Sequence, residues 1–228
     1  MAKKMTKKEL EKPDIFRLAI ERITTYISEN RSKIYLVSGI LTLIVMLSCG
    51  WYLYRMNYEK NAQKIYSKAN LETMKIIMQG GSPDHNMLKM FSDVISQYPS
   101  SKAAMMANYQ IGNISYNLGD IEASIKAYQE FLKEAPESAG DLKTLAYNGI
   151  GYCYEARSDF KNALESFEKA AAVKSAGSFE CITYRNIARI YEEMKNKEKA
   201  LEYYQKALKK TSDPSMEVIL KRKISTIT

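Results

Sequence analysis

The side chains best suited to chemistry in this chain are those of Arg185 and Arg189, which stand four residues apart. In a helix that spacing places both guanidinium groups on one face, one turn apart. A guanidinium is a planar fork of donors that matches a carboxylate, so the pair could form half of a carboxylate-binding site. The plainer interpretation, which we favour, is that both arginines are solvated and paired with Glu192 and Glu193.

No combination of side chains in the sequence predicts catalysis. The single histidine, His85, and the cysteines Cys49, Cys153 and Cys181 are not arranged at metal-ligand spacing. The sequence has no glycine-rich phosphate loop and no pair of acids that helix packing would bury together. We therefore expect no catalytic, cofactor or metal site, and a protein that is not an enzyme.

The charge pattern also argues against nucleic acid as a partner. The 228-residue chain has a formal net charge of +8, but its lysines and arginines are scattered among acids. A nucleic-acid surface would need a dense basic stripe interleaved with exposed aromatic side chains. We expect no nucleic-acid binding.

The elements that would position the arginines are repeated hairpins. Three segments, starting at Asn108, Tyr147 and Tyr184, superimpose without gaps. Each has two small residues and one ring at matching places, so that paired helices approach at the small residues and the ring fills the gap beside them. The matching sets are Gly112, Ser124 and Tyr128; Gly151, Ala163 and Phe167; and Ala188, Ala200 and Tyr204.

This pattern resembles the tetratricopeptide repeat, a helical hairpin of 34 residues. The resemblance implies a right-handed α-solenoid of about three to four hairpins. The expected fold class is all-α, with an N-terminal transmembrane helix before this solenoid. The repeats fall near 68–101, 105–138, 144–177 and 181–214, with a capping helix at 215–225. The first is degenerate and matches the pattern only at Leu71, Phe91, Val94 and Pro99.

The resemblance also implies a binding groove, lined by the first helix of each hairpin, that takes protein or peptide segments. Asparagine, tyrosine and arginine in such a groove suit polar contact with a backbone or with acidic groups. The predicted groove residues are Tyr109, Asn113, Tyr116, Asn148, Tyr152, Glu155, Arg185, Arg189 and Glu192.

Residues 34–54 form an uncharged apolar run that predicts a transmembrane helix. About twenty residues at 1.5 Å each span a hydrocarbon core about 30 Å thick. The tail at 1–33 is richer in lysine and arginine than the region after the run, so it should be cytoplasmic and 55–228 translocated to the periplasm of a bacterial inner membrane. A cleaved signal peptide is disfavoured by the long, mixed-charge tail. Lipidation of Cys49 remains an alternative.

Within the basic tail, an amphipathic helix is predicted from a cap at Asp14 to about Asn30. Its apolar residues recur at three- and four-residue steps, as in Phe16, Ile20 and Ile23. Such a helix can rest on the inner leaflet or dock on a partner's cytoplasmic surface, and we favour the membrane.

A short cytosolic tail, one span and a periplasmic repeat domain together resemble the YfgM-type ancillary factors of bacterial inner membranes. That resemblance implies association with the Sec translocon and with a periplasmic chaperone during protein export. Two alternatives stay open. One is an envelope or outer-membrane assembly factor of the repeat-lipoprotein or Tol-associated type, and the other is an organelle import receptor whose repeat domain is cytosolic.

Overall fold

The computed structural model describes residues 15–174, 177 and 179–227, and these residues form α-helices, one 3-10 turn and no strand. The predicted cap Asp14 and the lysines before it lie outside the described residues. The helices are α1 (Ile15–Glu29), α2 (Arg31–Met78), α3 (His85–Gln97), α4 (Lys102–Asn117), α5 (Ile121–Glu134), α6 (Gly140–Ala156), α7 (Phe160–Ala172), α8 (Glu180–Glu193), α9 (Lys197–Lys210) and α10 (Pro214–Ile227).

The described residues up to 56 belong to one unit, which contains α1 and the first part of α2. Each residue of α1 is exposed, including the apolar side chains of Phe16 and Ile23. In α2, an 18-residue window has a mean hydropathy of 2.0 and none of it is buried. By length and composition, this helix could cross a membrane.

Residues 57–228 form the second unit, in which α4 pairs with α5, α6 with α7 and α8 with α9. The turn between the two helices of each pair contains a residue with positive φ, which is Gly119, Ser158 or Lys195. A helix cap follows directly: Asp120, Asp159 and Asn196 each accept a hydrogen bond from the backbone N–H three residues on. The cap satisfies an N–H that the helix itself leaves unpaired, so the turn and the next helix start are fixed together.

The core of these hairpins follows the repeat pattern. A Cβ added at Gly151 would lie 2.5 Å from the Phe167 ring, and one at Gly112 would lie 2.7 Å from the Tyr128 ring. Ala163, Ala200 and their counterparts are buried. Because small residues admit the rings, neighbouring helices pack closely around shared core clusters, and the predicted all-α solenoid of hairpins is confirmed.

The first hairpin packs in a different register from the repeat alignment. Leu71, aligned with a packing position, is 54% exposed, whereas Ala62 and Ala69 of α2 are buried against α3 and α4. The α2 helix continues without a break from the apolar run into this hairpin. Its packing face includes two alanines at a seven-residue spacing, which the 34-residue pattern does not contain, together with Ile65, Tyr66 and Ile76.

Candidate partner-binding site

A pocket of about 280 Å³ opens on the face formed by the first helices of three hairpins, α4, α6 and α8. We call this the groove face. Five of the nine predicted groove residues line the pocket: Tyr109, Asn113, Tyr116, Asn148 and Tyr152. The remaining lining residues are Asn117, Tyr128, Leu145, Gly149, Phe179 and Ile182.

Tyr128 lines this pocket. It belongs to α5, but its ring lies between two glycines of the first helices, since a Cβ at Gly112 or Gly149 would come within 2.7 Å of it. Its hydroxyl donates a hydrogen bond to Asn113 Oδ1 at 2.7 Å. Burial raises the pKa of Tyr128, so this hydroxyl stays protonated and remains a donor.

A buried hydrogen-bond network holds α6 against α8 along one wall. Asn186 Nδ2 donates to Asn148 Oδ1 at 3.0 Å and to the Tyr152 hydroxyl at 2.7 Å. Asn148 Nδ2 donates to Thr183 Oγ1 at 2.9 Å. Because Asn148 and Asn186 are both buried, these bonds fix the register between the two helices. In this way the network orients Tyr152, a lining residue.

The four other predicted groove residues form a charged region beyond the pocket. Arg189 pairs with Glu155 on the neighbouring helix, and its guanidinium lies 6.0 Å from the centre of the Tyr152 ring. Glu192 accepts hydrogen bonds from the Tyr204 hydroxyl and, at 3.1 Å, from Lys223 Nζ of α10. Arg185 Nη1 is 3.8 Å from Met216 Sδ.

The interpretation we favoured for the arginines from sequence, pairing with Glu192 and Glu193, is wrong. Stacking of α6 beside α8 brings Glu155 to Arg189, and Glu192 has turned to Tyr204 and α10. The two guanidinium groups also differ in environment, because one is neutralised by a carboxylate and the other contacts a thioether. A carboxylate held jointly by both would share the Arg189 guanidinium with Glu155.

Leu145 and Ile182 were missing from the sequence prediction, although a signal for them existed. Both occupy the second position of a repeat, a position that the repeat pattern assigns to the groove. Tyr128 and Gly149 gave no such signal, because their contribution to the pocket depends on how one hairpin stacks on the next.

Among residues 15–174, 177 and 179–227, the structure contains no group of three or more His, Cys, Asp or Glu side chains that could hold a metal ion. Chemically, the pocket offers aromatic rings and carboxamides. It can bind apolar groups and neutral hydrogen-bonding groups such as a peptide backbone.

Sequence comparison identifies tetratricopeptide repeats in two regions, at residues 107–138 and 144–210. A curated relative, an uncharacterized protein of Clostridium acetobutylicum, is 30% identical over 145 residues. The match covers 64% of this chain and 34% of that protein, so the chain spans about a third of the relative's length.

Solved structures of MamA have a similar fold. A MamA crystal structure has a TM-score of 0.52 at 22% identity. The match covers 66% of this chain and 78% of the MamA chain. A MamA structure that begins at residue 41, from Desulfovibrio magneticus RS-1, has a TM-score of 0.54 at 20% identity. That match covers 72% of this chain and 83% of the MamA chain. The chain is thus an all-α protein with a tetratricopeptide array, a fold whose domains mediate protein–protein interactions.

Proposed function

We propose that the groove face binds a segment of a partner protein and that the pocket takes one uncharged apolar or aromatic side chain of that segment. The observation that carries this proposal is the lining of the pocket. Within the described part of the chain, all of its lining residues are uncharged, and most are aromatic or carboxamide side chains. A charged group entering it would lose water without gaining an opposite charge.

The size of the pocket is compatible with a side chain as the ligand. Sites for small molecules and cofactors usually have volumes of roughly 300–1,000 Å³. At about 280 Å³ this pocket is just below that range. Asn117 at its rim and Asn113 within it can hydrogen bond to the backbone of the segment that carries the side chain.

We further propose that residues 34–54 anchor the array in a bacterial inner membrane, with 1–33 cytoplasmic and 55–228 periplasmic. The uncharged run and the excess of lysine and arginine before it support this orientation. The architecture resembles that of YfgM-type factors, and on that basis the proposed partners are the Sec translocon and a periplasmic chaperone.

Site-specific photocrosslinking tests the groove proposal. A photoreactive residue replaces Tyr116, which lines the pocket and is 38% exposed, and in a second protein it replaces Gln129 on the opposite, outer face. Position 116 should form adducts with a polypeptide in intact cells, and position 129 should form none of the same mass. Equal adducts from both positions, or adducts from 129 alone, would overturn it.

Protease treatment of spheroplasts tests the orientation separately. Externally added protease should degrade 55–228 in spheroplasts and leave it intact in whole cells. Degradation only after the inner membrane is lysed would place the array in the cytoplasm and contradict the proposed topology.

A further inference from the structure

A second surface of the array lies on the first helix of the second unit, within residues 57–78 of α2. Ala62 and Ala69 of this helix are buried against α3 and α4. At 3.6 residues per turn, Lys60 lies about 200° around the helix from Ala62, and Leu71 lies about 200° from Ala69. Both therefore face away from the rest of the array, at its N-terminal edge.

This outward side has two chemically distinct halves. Its first half is a row of lysines at four-residue spacing, and its second half has three apolar side chains beside Lys75, which pairs with Glu72. We call the three lysines and the three apolar residues the edge stripe, and its members are Lys60, Lys64, Lys68, Leu71, Met74 and Met78. All six side chains are exposed.

Exposure of the apolar half is high for a folded array. Leu71 and Met74 are more than half exposed, and Met78 is 81% exposed. In a stack of hairpins, each first helix is normally covered on both sides, and an end helix needs a polar outer face to stay soluble. The lysine half meets that requirement, but the apolar half does not.

We propose that the edge stripe binds an amphipathic helix of another protein, which places acidic residues against Lys60, Lys64 and Lys68 and an apolar side against Leu71, Met74 and Met78. The stripe runs over 19 residues, or about 27 Å of helix. A partner helix of about five turns covers it, with its own side chains at three- and four-residue steps.

A second copy of this chain fits the stripe poorly. Parallel pairing would set the lysine row of one copy against the lysine row of the other, and like charges at such spacing repel. Antiparallel pairing over the full stripe would set lysines against the apolar patch and bury charge without a partner.

A lipid surface fits poorly as well. A helix that lies on a bilayer has a continuous apolar side flanked by basic residues. In the edge stripe the basic and apolar residues follow one another along a single line, so a flat bilayer that accepted Leu71 and Met74 would also receive Lys64 and Lys68 directly. A helix whose acidic and apolar residues are likewise segregated end to end matches both halves.

Fluorescence anisotropy with a designed peptide tests this proposal. The probe is a labelled helical peptide of 21 residues, with glutamates at four-residue spacing in one half and leucines at three- and four-residue spacing in the other. The protein is the full chain in nanodiscs of zwitterionic lipid. Binding should weaken at least tenfold in a Lys60→Glu/Lys64→Glu/Lys68→Glu variant and in a Leu71→Ser/Met74→Ser variant.

The control variant is Lys126→Glu/Lys161→Glu/Lys209→Glu, which changes the net charge equally at three exposed lysines elsewhere on the array. It should bind the probe within twofold of the unaltered chain. A second probe with lysines in place of the glutamates should restore binding to the variant that carries glutamates at 60, 64 and 68. Equal weakening by the control variant, or no rescue by the second probe, would overturn the proposal.

Two further outcomes would assign the stripe to a different occupant and also overturn the proposal. One is self-association of the full chain, detected by sedimentation and abolished by Met74→Glu. The other is crosslinking to lipid, and not to the probe, from a photoreactive residue at position 74. Neither result depends on the groove proposal, because the stripe and the pocket share no residue.

Discussion

The Tyr128 hydroxyl donates a hydrogen bond to Asn113 Oδ1 at 2.7 Å. This bond joins α5, the second helix of a hairpin, to a pocket-lining side chain of α4, the first helix of the same hairpin. The ring passes between Gly112 and Gly149, so one tyrosine contacts both α4 and α6. A packing residue of the repeat thereby also lines the pocket and helps to orient the carboxamide of Asn113.

Replacement of Gly149 by alanine should destabilise the array. The new Cβ would lie 2.6 Å from the Tyr128 ring, and overpacking of this kind costs about 1–3 kcal/mol. Part of that cost is offset by the higher helix propensity of alanine, about 1 kcal/mol. Urea unfolding of the full chain in detergent micelles, followed by circular dichroism, measures the difference. In a Tyr128→Leu background the same glycine replacement should cost less stability than in the unaltered chain, and an equal cost in the two backgrounds would contradict the contact.

Alkaline pH should destabilise the array through two tyrosines. Burial raises the pKa of Tyr128, and burial together with the hydrogen bond to Glu192 raises the pKa of Tyr204. In the unfolded chain both hydroxyls lose their protons near pH 10, whereas in the folded chain they keep them to higher pH. The folded state then binds more protons, so their contribution to stability is complete below pH 10 and is lost as pH rises through the folded pKa values.

The measurement is the free energy of unfolding between pH 8 and 11 for the unaltered chain and for Tyr128→Phe/Tyr204→Phe. Each tyrosine contributes a slope of at most about 1.4 kcal/mol per pH unit above pH 10. The double variant should have the shallower slope even though its stability at pH 8 is lower. Parallel slopes would mean that neither hydroxyl is protected by the fold.

The Arg189–Glu155 pair should contribute modestly to stability. It joins α8 to α6, but the Arg189 side chain is 37% exposed and that of Glu155 is 19% exposed. Water and salt screen such a pair, so a double-mutant cycle with Arg189→Ala and Glu155→Ala should give a coupling of about 0.5–1 kcal/mol that falls in high salt. A coupling near zero at low salt would show that the contact is not energetically significant.

Replacement of Asn186 by alanine should cost more than replacement of an exposed asparagine. Asn186 is fully buried and donates to Asn148 and Tyr152, so its loss leaves those groups without a donor at a cost of about 1–3 kcal/mol. The control, Asn61→Ala on the exposed side of α2, should change stability by less than about 0.5 kcal/mol. Thermal unfolding of both variants measures this, and similar midpoints would argue against the network.

The repeat pattern predicted most of the fold because burial within a hairpin follows local helix periodicity. Gly151 and Phe167, or Ala188 and Tyr204, can be assigned to a core from spacing alone. Five lining residues of the pocket were likewise predicted, since a groove position depends only on its place in the first helix. Glu155 and Arg189 were both predicted on that face, but their pairing was not. The two residues are 34 positions apart, and their contact depends on the register in which one hairpin stacks on the next.

The first hairpin was the least predictable part. The change from apolar to charged composition after Tyr54 suggests that the helix ends there. Backbone hydrogen bonds do not depend on side-chain polarity, and α2 ends only at Met78. Its two fully buried residues, Ala62 and Ala69, are alanines, whose small side chains give a weak hydrophobic signal in the sequence, and Ile65, Tyr66 and Ile76 pack beside them.

The central claim is that the groove pocket takes a side chain of a partner protein, and filling the pocket tests it most directly. Ile182→Trp adds bulk at the pocket rim, and the control Met194→Trp adds the same side chain at the C-terminal end of the same helix, away from the pocket. Both positions are exposed, at 36% and 47%, so both variants should fold. In cells, Ile182→Trp should reduce the crosslinked adduct from position 116 at least tenfold and Met194→Trp should leave it unchanged. Undiminished adduct in the Ile182→Trp variant would contradict the account.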